Sequence, residues 1–470
     1  MNIEKENSAE EYQETEDVYA RLQESEQETR QIGSPEELEA SEREITGITN
    51  RPGALLLQKQ PQAGLDSEER QEKEAELIRY WPGRMKSEGY GSVRILTAGG
   101  SCICVRVRHC RRACDRRNGK RHKGVCGGPV LLGIYDRCTP GLAATVSAWP
   151  ASLSSSEEVR QVLSEQGVTP GVKVIRKLAY RYADRARVLQ QAGQIPSGEE
   201  ENPQGRRVVV STDGGRVRLR ENKRGPGTRK GRTRHRGAWR EPKLLIIYVA
   251  DAHGKPEKSF SPFTDGCVRG PDALFQMLKG YPESLCIQKA ERVLSVADGA
   301  HWIWNRIPGL VRSPGPDPKP VHELTDFCHA AEHPGKVAAL RKNWSAKERK
   351  ARIAKHRRLL LKGDSASVVR AVQAVCRGRN SRAIATERDY FVRNGQRPAH
   401  PTPKALNLPI GSGAVESAVR RVISLRLKGP RIFWYKENAE KMLMLRSCCK
   451  VGRWNCLKQM ANSHISLLAV

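Results

Sequence analysis

The chain is poor in what several protein classes require. Aromatic residues make up only 5% of its 470 positions and hydrophobic residues 38%. That is little for one compact globule and fits a core with polar arms. The longest clean apolar run, Leu244 to Ala250, is far short of the roughly 20 residues that span a bilayer, so a membrane protein is not expected. The first residues are acidic where a secretory leader is basic and then apolar, so neither is a secreted one. The 13 cysteines are odd in number and contain no Cys-x-x-Cys pair. A small disulfide framework is excluded in so long a chain, and the tight pairs of a strong zinc ribbon are missing. Acidic charge is also short, with 52 Asp and Glu against 82 Lys and Arg, a net of +30.

An excess of that size points to a polyanion, most simply nucleic acid. The length suggests about three domains at roughly 150 residues each. The charge is unevenly spread. Residues 1–80 hold 21 acidic and 9 basic side chains, a net of −12, which leaves +42 for the remainder. Residues 1–85 read as an acidic, largely disordered or loosely helical arm. It is either a solubilising tail or an acidic mimic that covers the basic surface until DNA displaces it.

Residues 86–193 read as an N-terminal DNA-binding region. Ser92–Leu96 and Cys102–Val107 alternate around Ala98-Gly99-Gly100, which predicts a β-ribbon. Cys110, Cys114, Cys126 and Cys138, with His109 and His122 nearby, are either loosely spaced zinc ligands or ordinary reduced cysteines. Ser155 to Glu158 has the form of a capping box, and the helix it opens ends at Gly167. Thr169 and Pro170 are expected to start a second helix. In it Ile175, Leu178, Ala179, Tyr182, Ala183 and Ala186 recur at helical spacing, while Lys173, Arg176 and Lys177 point elsewhere. This is a helix-turn-helix with a basic face or a plain helical hairpin.

Residues 194–204 read as a linker. Beyond it, Arg207–Thr212, Lys243–Ala250 and Val293–Ala297 read as strands, Pro271–Lys279 as a helix, and Val217 and Leu219 as part of a returning strand. The segments 205–334 and 409–470 form the first and last parts of a catalytic core, interrupted by a basic helical insertion, 335–408. The expected fold class is α/β: a mixed sheet flanked by helices, in the manner of ribonuclease H, behind the ribbon and helix-turn-helix.

Three acids stand where apolar strands end: Asp213, Asp251 and Asp298. Asp213 and Asp298 each precede glycine, which permits close approach. Glu416 falls in the first turn of an expected long helix, Gly413–Leu427, where a glutamate also complements the helix dipole. One by one they carry little. Their contexts together are more specific: Ser211-Thr-Asp-Gly-Gly215, Ala297-Asp-Gly-Ala-His-Trp-Ile-Trp304, Thr325-Asp-Phe-Cys-His329, and the glycine-glutamate segment 409–417 running into Arg426-Leu-Lys-Gly429. In order and context these segments resemble the catalytic core of bacterial insertion-sequence transposases of the Kra type, relatives of the mutator-like DDE enzymes, over about residues 205–450.

The resemblance implies that Asp213, Asp298 and Glu416 form a catalytic triad holding two Mg²⁺ or Mn²⁺ ions. It implies cleavage and strand transfer on double-stranded DNA, both element ends and target, by a homodimer or larger assembly associated with the bacterial nucleoid in the cytoplasm. Hard cations choose carboxylate oxygen, and two of them serve both the attacking and the leaving oxygen of a phosphodiester. Asp326 and His329 match an Asp-x-x-His element. Their role is a structural clip, positioning of flanking DNA, or zinc binding with Cys328 or His333.

The stretch Arg216–Arg240 holds 11 Lys and Arg in 25 residues, opposed only by Glu221. It leaves directly from the first acid, so Arg216, Arg218, Lys223, Arg224, Arg229, Lys230 and Arg232 are read as phosphate contacts. Trp302 and Trp304 read as core, and Trp434 as core or a base-stacking surface. The alternatives to a transposase are a ribonuclease-H-like nuclease that cuts without joining, and a non-catalytic DNA-binding regulator.

Overall fold

In the computed structural model the described residues are 20, 23–24, 34–81, 83–112, 124–196, 202–229, 231, 233–311, 321–339, 341, 343–378, 381–395, 397 and 407–463. The chain divides into two compact units, Met1–Tyr182 with Asn462–Val470, and Ala183–Ala461. Among the described residues no helix is long and apolar enough to cross a membrane.

In the first unit, β1 (Met85–Leu96) pairs antiparallel with β2 (Cys102–Arg112), with Val93 opposite Val105 and Ile95 opposite Ile103. Alternation buries Ile103, Val105 and Val107 and leaves Cys102 and Cys104 exposed on one face. Within the acidic arm, Pro35–Asp66 and Glu68–Arg79 are helices. Ser34 caps the first of them by accepting from the Glu37 N–H. Gln58 and Gln62 then accept the backbone N–H groups of Cys104 and Arg106 at 2.8 and 2.7 Å. Four helical residues advance about 6 Å and two strand residues about 6.7 Å. Two glutamines one turn apart therefore match two alternate donors on the strand edge, and composition alone does not reveal such a match.

The helices Pro140–Ser152 and Ser156–Glu165 follow, capped by Thr139 and Ser155. The Glu158 carboxylate reaches back one residue further than a capping box, to the Ser154 N–H at 3.1 Å. The next helix runs Val172–Gln191. It starts after Gly171, so Thr169 and Pro170 lie before it. Ile175 and Leu178 bury against Leu142, Val146, Val159 and Leu163. Of the four cysteines read as zinc ligands, Cys114 lies outside the described residues, as does His122. Cys110 bonds Val125 through its backbone. The Cys126 thiol meets His109 Nδ1 at 3.3 Å. Burial pushes the Cys138 thiol up to about 11, reinforced by Asp136.

The second unit is built on a five-stranded mixed sheet. Its strands are β3 (Arg207–Gly214), β6 (Lys243–Ala250), β7 (Phe263–Cys267), β8 (Arg292–Ala297) and β9 (Val321–Thr325), in the order β7-β6-β3-β8-β9. The pairs β3–β6 and β6–β7 are antiparallel; β3–β8 and β8–β9 are parallel. Order and directions are compatible with a ribonuclease-H-like fold. Every residue of β6 is buried, as expected of a strand covered on both faces. Val208, Val210, Leu245, Ile247 and Val293 pack with Leu274, Leu278 and Ile307 from the flanking helices.

Between β3 and β6 the chain leaves the sheet. β4 (Val217–Asn222) pairs with β5 (His235–Arg240) in a separate hairpin, so the strand of Val217 and Leu219 does not return along the first strand. After β9 the described residues form the helices Phe327–Ala339, Ala346–Leu361, Ser365–Cys376 and Arg382–Asn394. They share a core of Phe327, Leu360, Val368, Val372, Tyr390 and Phe391. The helical segment thus begins immediately after the last strand rather than at residue 335.

Candidate active site

The strand register places the acids. Thr212 of β3 lies opposite Ala297 of β8. Asp213 and Asp298, each one residue further, therefore stand at the carboxyl ends of neighbouring parallel strands, where open α/β sheets bind ligands. Asp251 ends β6, which is antiparallel to β3, and so sits at the opposite end of the sheet. Its carboxylate accepts from the N–H groups of His253 and Lys255 at 2.8 and 2.9 Å; it builds a turn.

Asp213 Oδ1 accepts from its own glycine, Gly214 N–H, at 2.6 Å. Its carboxyl is held above the ordinary range, first by burial and further by the nearby charges of Asp298 and Glu416, while the Gly214 N–H and His329 oppose the rise. The three acids thus share one electrostatic neighbourhood. Asp298 Oδ1 accepts from Ala300 N–H at 3.0 Å, and its carbonyl accepts from the Trp304 indole N–H at 2.7 Å. Trp304 is buried, and Trp302 is partly buried against the same core, with Lys243 Nζ 4.1 Å from its ring centroid.

Glu416 lies on the short helix Gly413–Val419. What brings it to the sheet is Asp326, which is only 1% exposed. The Asp326 N–H donates to Ala297 O at 2.8 Å. Its carboxylate accepts the backbone N–H of His329 at 2.8 Å with one oxygen and that of Ser412 with the other. The neighbouring Phe327 N–H donates to Ile410 O at 3.0 Å. Asp326 is therefore a latch between β9 and the segment that carries Glu416. The Asp-x-x-His element works differently from a side-chain pair: Asp326 binds the backbone of His329, which leaves the imidazole Nε2 3.6 Å from Glu416 Oε1. His333 is engaged elsewhere, bonded to Glu387 at 2.5 Å and stacked on Tyr390 at 3.4 Å.

Two glycines are required by close approach. A Cβ at Gly299 would stand 2.1 Å from the Tyr390 ring, and one at Gly215 would stand 2.8 Å from Ile423. Asn394, buried, donates to Gly299 O at 3.3 Å. The helix Arg382–Asn394 thus packs directly on the Asp298 turn. The expected long helix Gly413–Leu427 is interrupted by a π segment, Arg420–Ser424, a feature frequent at functional sites. Buried Arg446 donates to the carbonyls of Val422, at 2.6 Å, and Arg421.

No lysine or arginine pairs with Asp213, Asp298 or Glu416 among the described residues. Nor do three His, Cys, Asp or Glu side chains there converge on one point as a ready-made metal cluster. The contrast within the sheet is Asp265 on β7. It accepts from Arg187 Nη2 at 2.9 Å, from the Tyr281 hydroxyl at 2.9 Å and from Gly266 N–H at 2.7 Å.

Of the residues read as DNA contacts, Arg216, Lys223, Arg224 and Arg229 are exposed, and Lys230 and Arg232 lie outside the described residues. Arg218 is half-buried and stacked between Trp239 and Phe433. In the first unit Lys173 and Arg176 are exposed, and Lys177 is also exposed but pairs with Asp136 at 3.2 Å. Trp434 is buried beside the hairpin: its N–H donates to Arg218 O at 3.0 Å, and its carbonyl accepts from Arg220 N–H at 2.7 Å. Sequence reading missed the latch from Asp326 to Ser412 and the exposed Trp239, although an aromatic residue inside so basic a stretch is itself a signal.

No family model matches the chain, and no curated protein is similar to it. Among solved structures, the chain is similar to one in the Drosophila P element transposase strand transfer complex. The identity is 12% and the TM-score 0.25, over 73% of this chain and 83% of that chain; a likeness at that score carries no argument about fold or function.

Proposed function

We propose that the protein is a DDE-type DNA transposase that binds the inverted repeats ending its element, cuts there, and joins the freed ends to target DNA. One observation supports this reading above the rest. Two acids at adjacent parallel strand ends and a third on a latched helix share a neighbourhood with His329 but, among the described residues, with no lysine or arginine partner, in a chain of net charge +30.

The donor set suits a hard divalent cation, because it offers carboxylate oxygens and leaves room for water and phosphate. Asp213, Asp298 and Glu416 would together hold two Mg²⁺ or Mn²⁺ ions. Such ions, when bound, generate the nucleophile and stabilise the leaving oxygen. The protein's own part is positional. Hydrogen bonds at Ala300 and Trp304 fix the Asp298 turn. Asp326 sets the height of the Glu416 helix, and the Ser412 hydroxyl donates to Glu416 Oε1 at 3.2 Å, with His329 Nε2 3.6 Å from the same oxygen. Like charges oppose one another at the site, so the three carboxylates must draw together to ligate. The basic hairpin and the exposed Lys173 and Arg176 serve as phosphate contacts, and pairing of two element ends calls for a dimer or larger assembly.

The test uses DNA carrying the sequences that flank the gene, with Mg²⁺ or Mn²⁺. Replacing Asp213, Asp298 or Glu416 by alanine should abolish cleavage while DNA binding persists. Near wild-type cleavage in any one variant removes that residue from the triad. Pre-cut ends that fail to join would make the protein a nuclease, and no cleavage by the unaltered protein would make it a DNA-binding regulator.

A further inference from the structure

We propose that the outer face of the β4–β5 hairpin is a stacking platform for unpaired DNA bases, with Trp239 as its contact surface. The inference rests on the DNA-processing reading above and goes beyond phosphate contact. Alternation puts Val217 and Leu219 of β4 inward, where they are buried. It puts Arg218 and Arg220 on the other face, with Arg218 opposite Trp239 and Asn222 opposite His235. Trp239 is 51% exposed. One side of it is covered by the Arg218 guanidinium, 4.9 Å from the ring centroid, and Arg218 lies equally far from Phe433. Arg220 lies over Tyr435 at 5.2 Å. The arginines on this face therefore spend their planes on rings, and an indole held in place by a guanidinium is presented to solvent.

A duplex offers its backbone phosphates to such a surface, and an outward indole does nothing for them. An unpaired base offers a π-face, which stacks on an aromatic ring whatever its sequence. The 11 basic side chains of residues 216–240 against one glutamate fit the polyanion that carries it. Position favours the same occupant. Arg218 follows Asp213 by five residues, hence lies within about 17 Å of it. The hairpin is also bonded to Trp434, seven residues beyond the helix end at Leu427. It is thus anchored to the elements bearing both Asp213 and Glu416, where a base freed from the duplex near a cut would lie.

The test measures anisotropy of a labelled oligothymidylate and of a duplex of equal length, without divalent cation so that nothing is cut. Trp239→Ala should weaken single-strand binding by about tenfold and duplex binding by less than about twofold. Trp239→Phe should restore most of the loss. Equal loss on both probes, or no loss on the single strand, overturns the platform, as does failure of Trp239→Phe to restore binding while its melting temperature is normal. Because no cleavage is involved, loss of the platform leaves the transposase reading standing, and a protein that never cuts can still possess the platform.

Discussion

Asp213 and Asp265 occupy the same sheet, each followed by glycine, and each gives Oδ1 to that glycine's N–H, at 2.6 and 2.7 Å. Leu245 lies opposite both Thr212 and Asp265, so the two acids are two strands apart, about 10 Å. There the likeness ends. Asp265 is 1% exposed and closed off by Arg187 and Tyr281. Asp213 has two further acids as neighbours and no Lys or Arg partner among the described residues. A buried carboxylate without a cation is costly to a fold. One that is given every partner holds the structure together; one denied them stays available for chemistry. Motif alone cannot separate the two, because the difference is made by Arg187, 78 positions away, and Tyr281, 16 positions away.

The sharpest break in this comparison is Asp265→Asn. It strips Arg187 of its charge partner in the interior, and breaking a buried pair costs roughly 3–5 kcal/mol. Chemical denaturation should show that loss, whereas Asp213→Asn should show none. Next comes Asp326→Ala, which leaves the Ser412 and His329 N–H groups without their acceptor, a loss of roughly 3 kcal/mol for two bonds to a carboxylate. Its second signature is weaker cleavage with DNA affinity retained, since the Glu416 helix loses its anchor; an unchanged rate would detach the latch from the site. The smallest effect has the opposite sign. Asp213 titrates above an unfolded carboxyl, so its fold is favoured while protonated and loses that advantage as pH rises through the raised value. In metal-free buffer Asp213→Asn should therefore melt higher than the wild type at neutral pH. The gap should close as pH falls below about 4. A gap that widens on acidification would show that Asp213 has a hidden cation partner.

Much of the framework was legible in the chain. Lys243–Ala250 is an unbroken apolar run, and a strand buried on both faces needs nothing else. Asp213 and Asp298 stood out because each closes such a run just before a glycine. The reasons Asp251 drops out and Asp326 matters were not legible. The first depends on strand direction, which periodicity does not encode. The second depends on Ser412, 86 residues away. The docking of the acidic arm on β2 was hidden for a similar cause: Gln58 and Gln62 look solvated until β2 lies beside them. The partner of β4 was hidden by the basic stretch between the two strands, whose charge masks their alternation.

The latch has a consequence for how the protein comes into being. A ribosome delivers Asp213 and Asp298 early and Glu416 only 118 residues after Asp298, roughly 6–24 s later at ordinary synthesis rates. Asp326 has no Ser412 to hold during that interval. The nascent chain can therefore complete the five strands of its sheet, with Asp213 and Asp298 in place, while Glu416 is still untranslated.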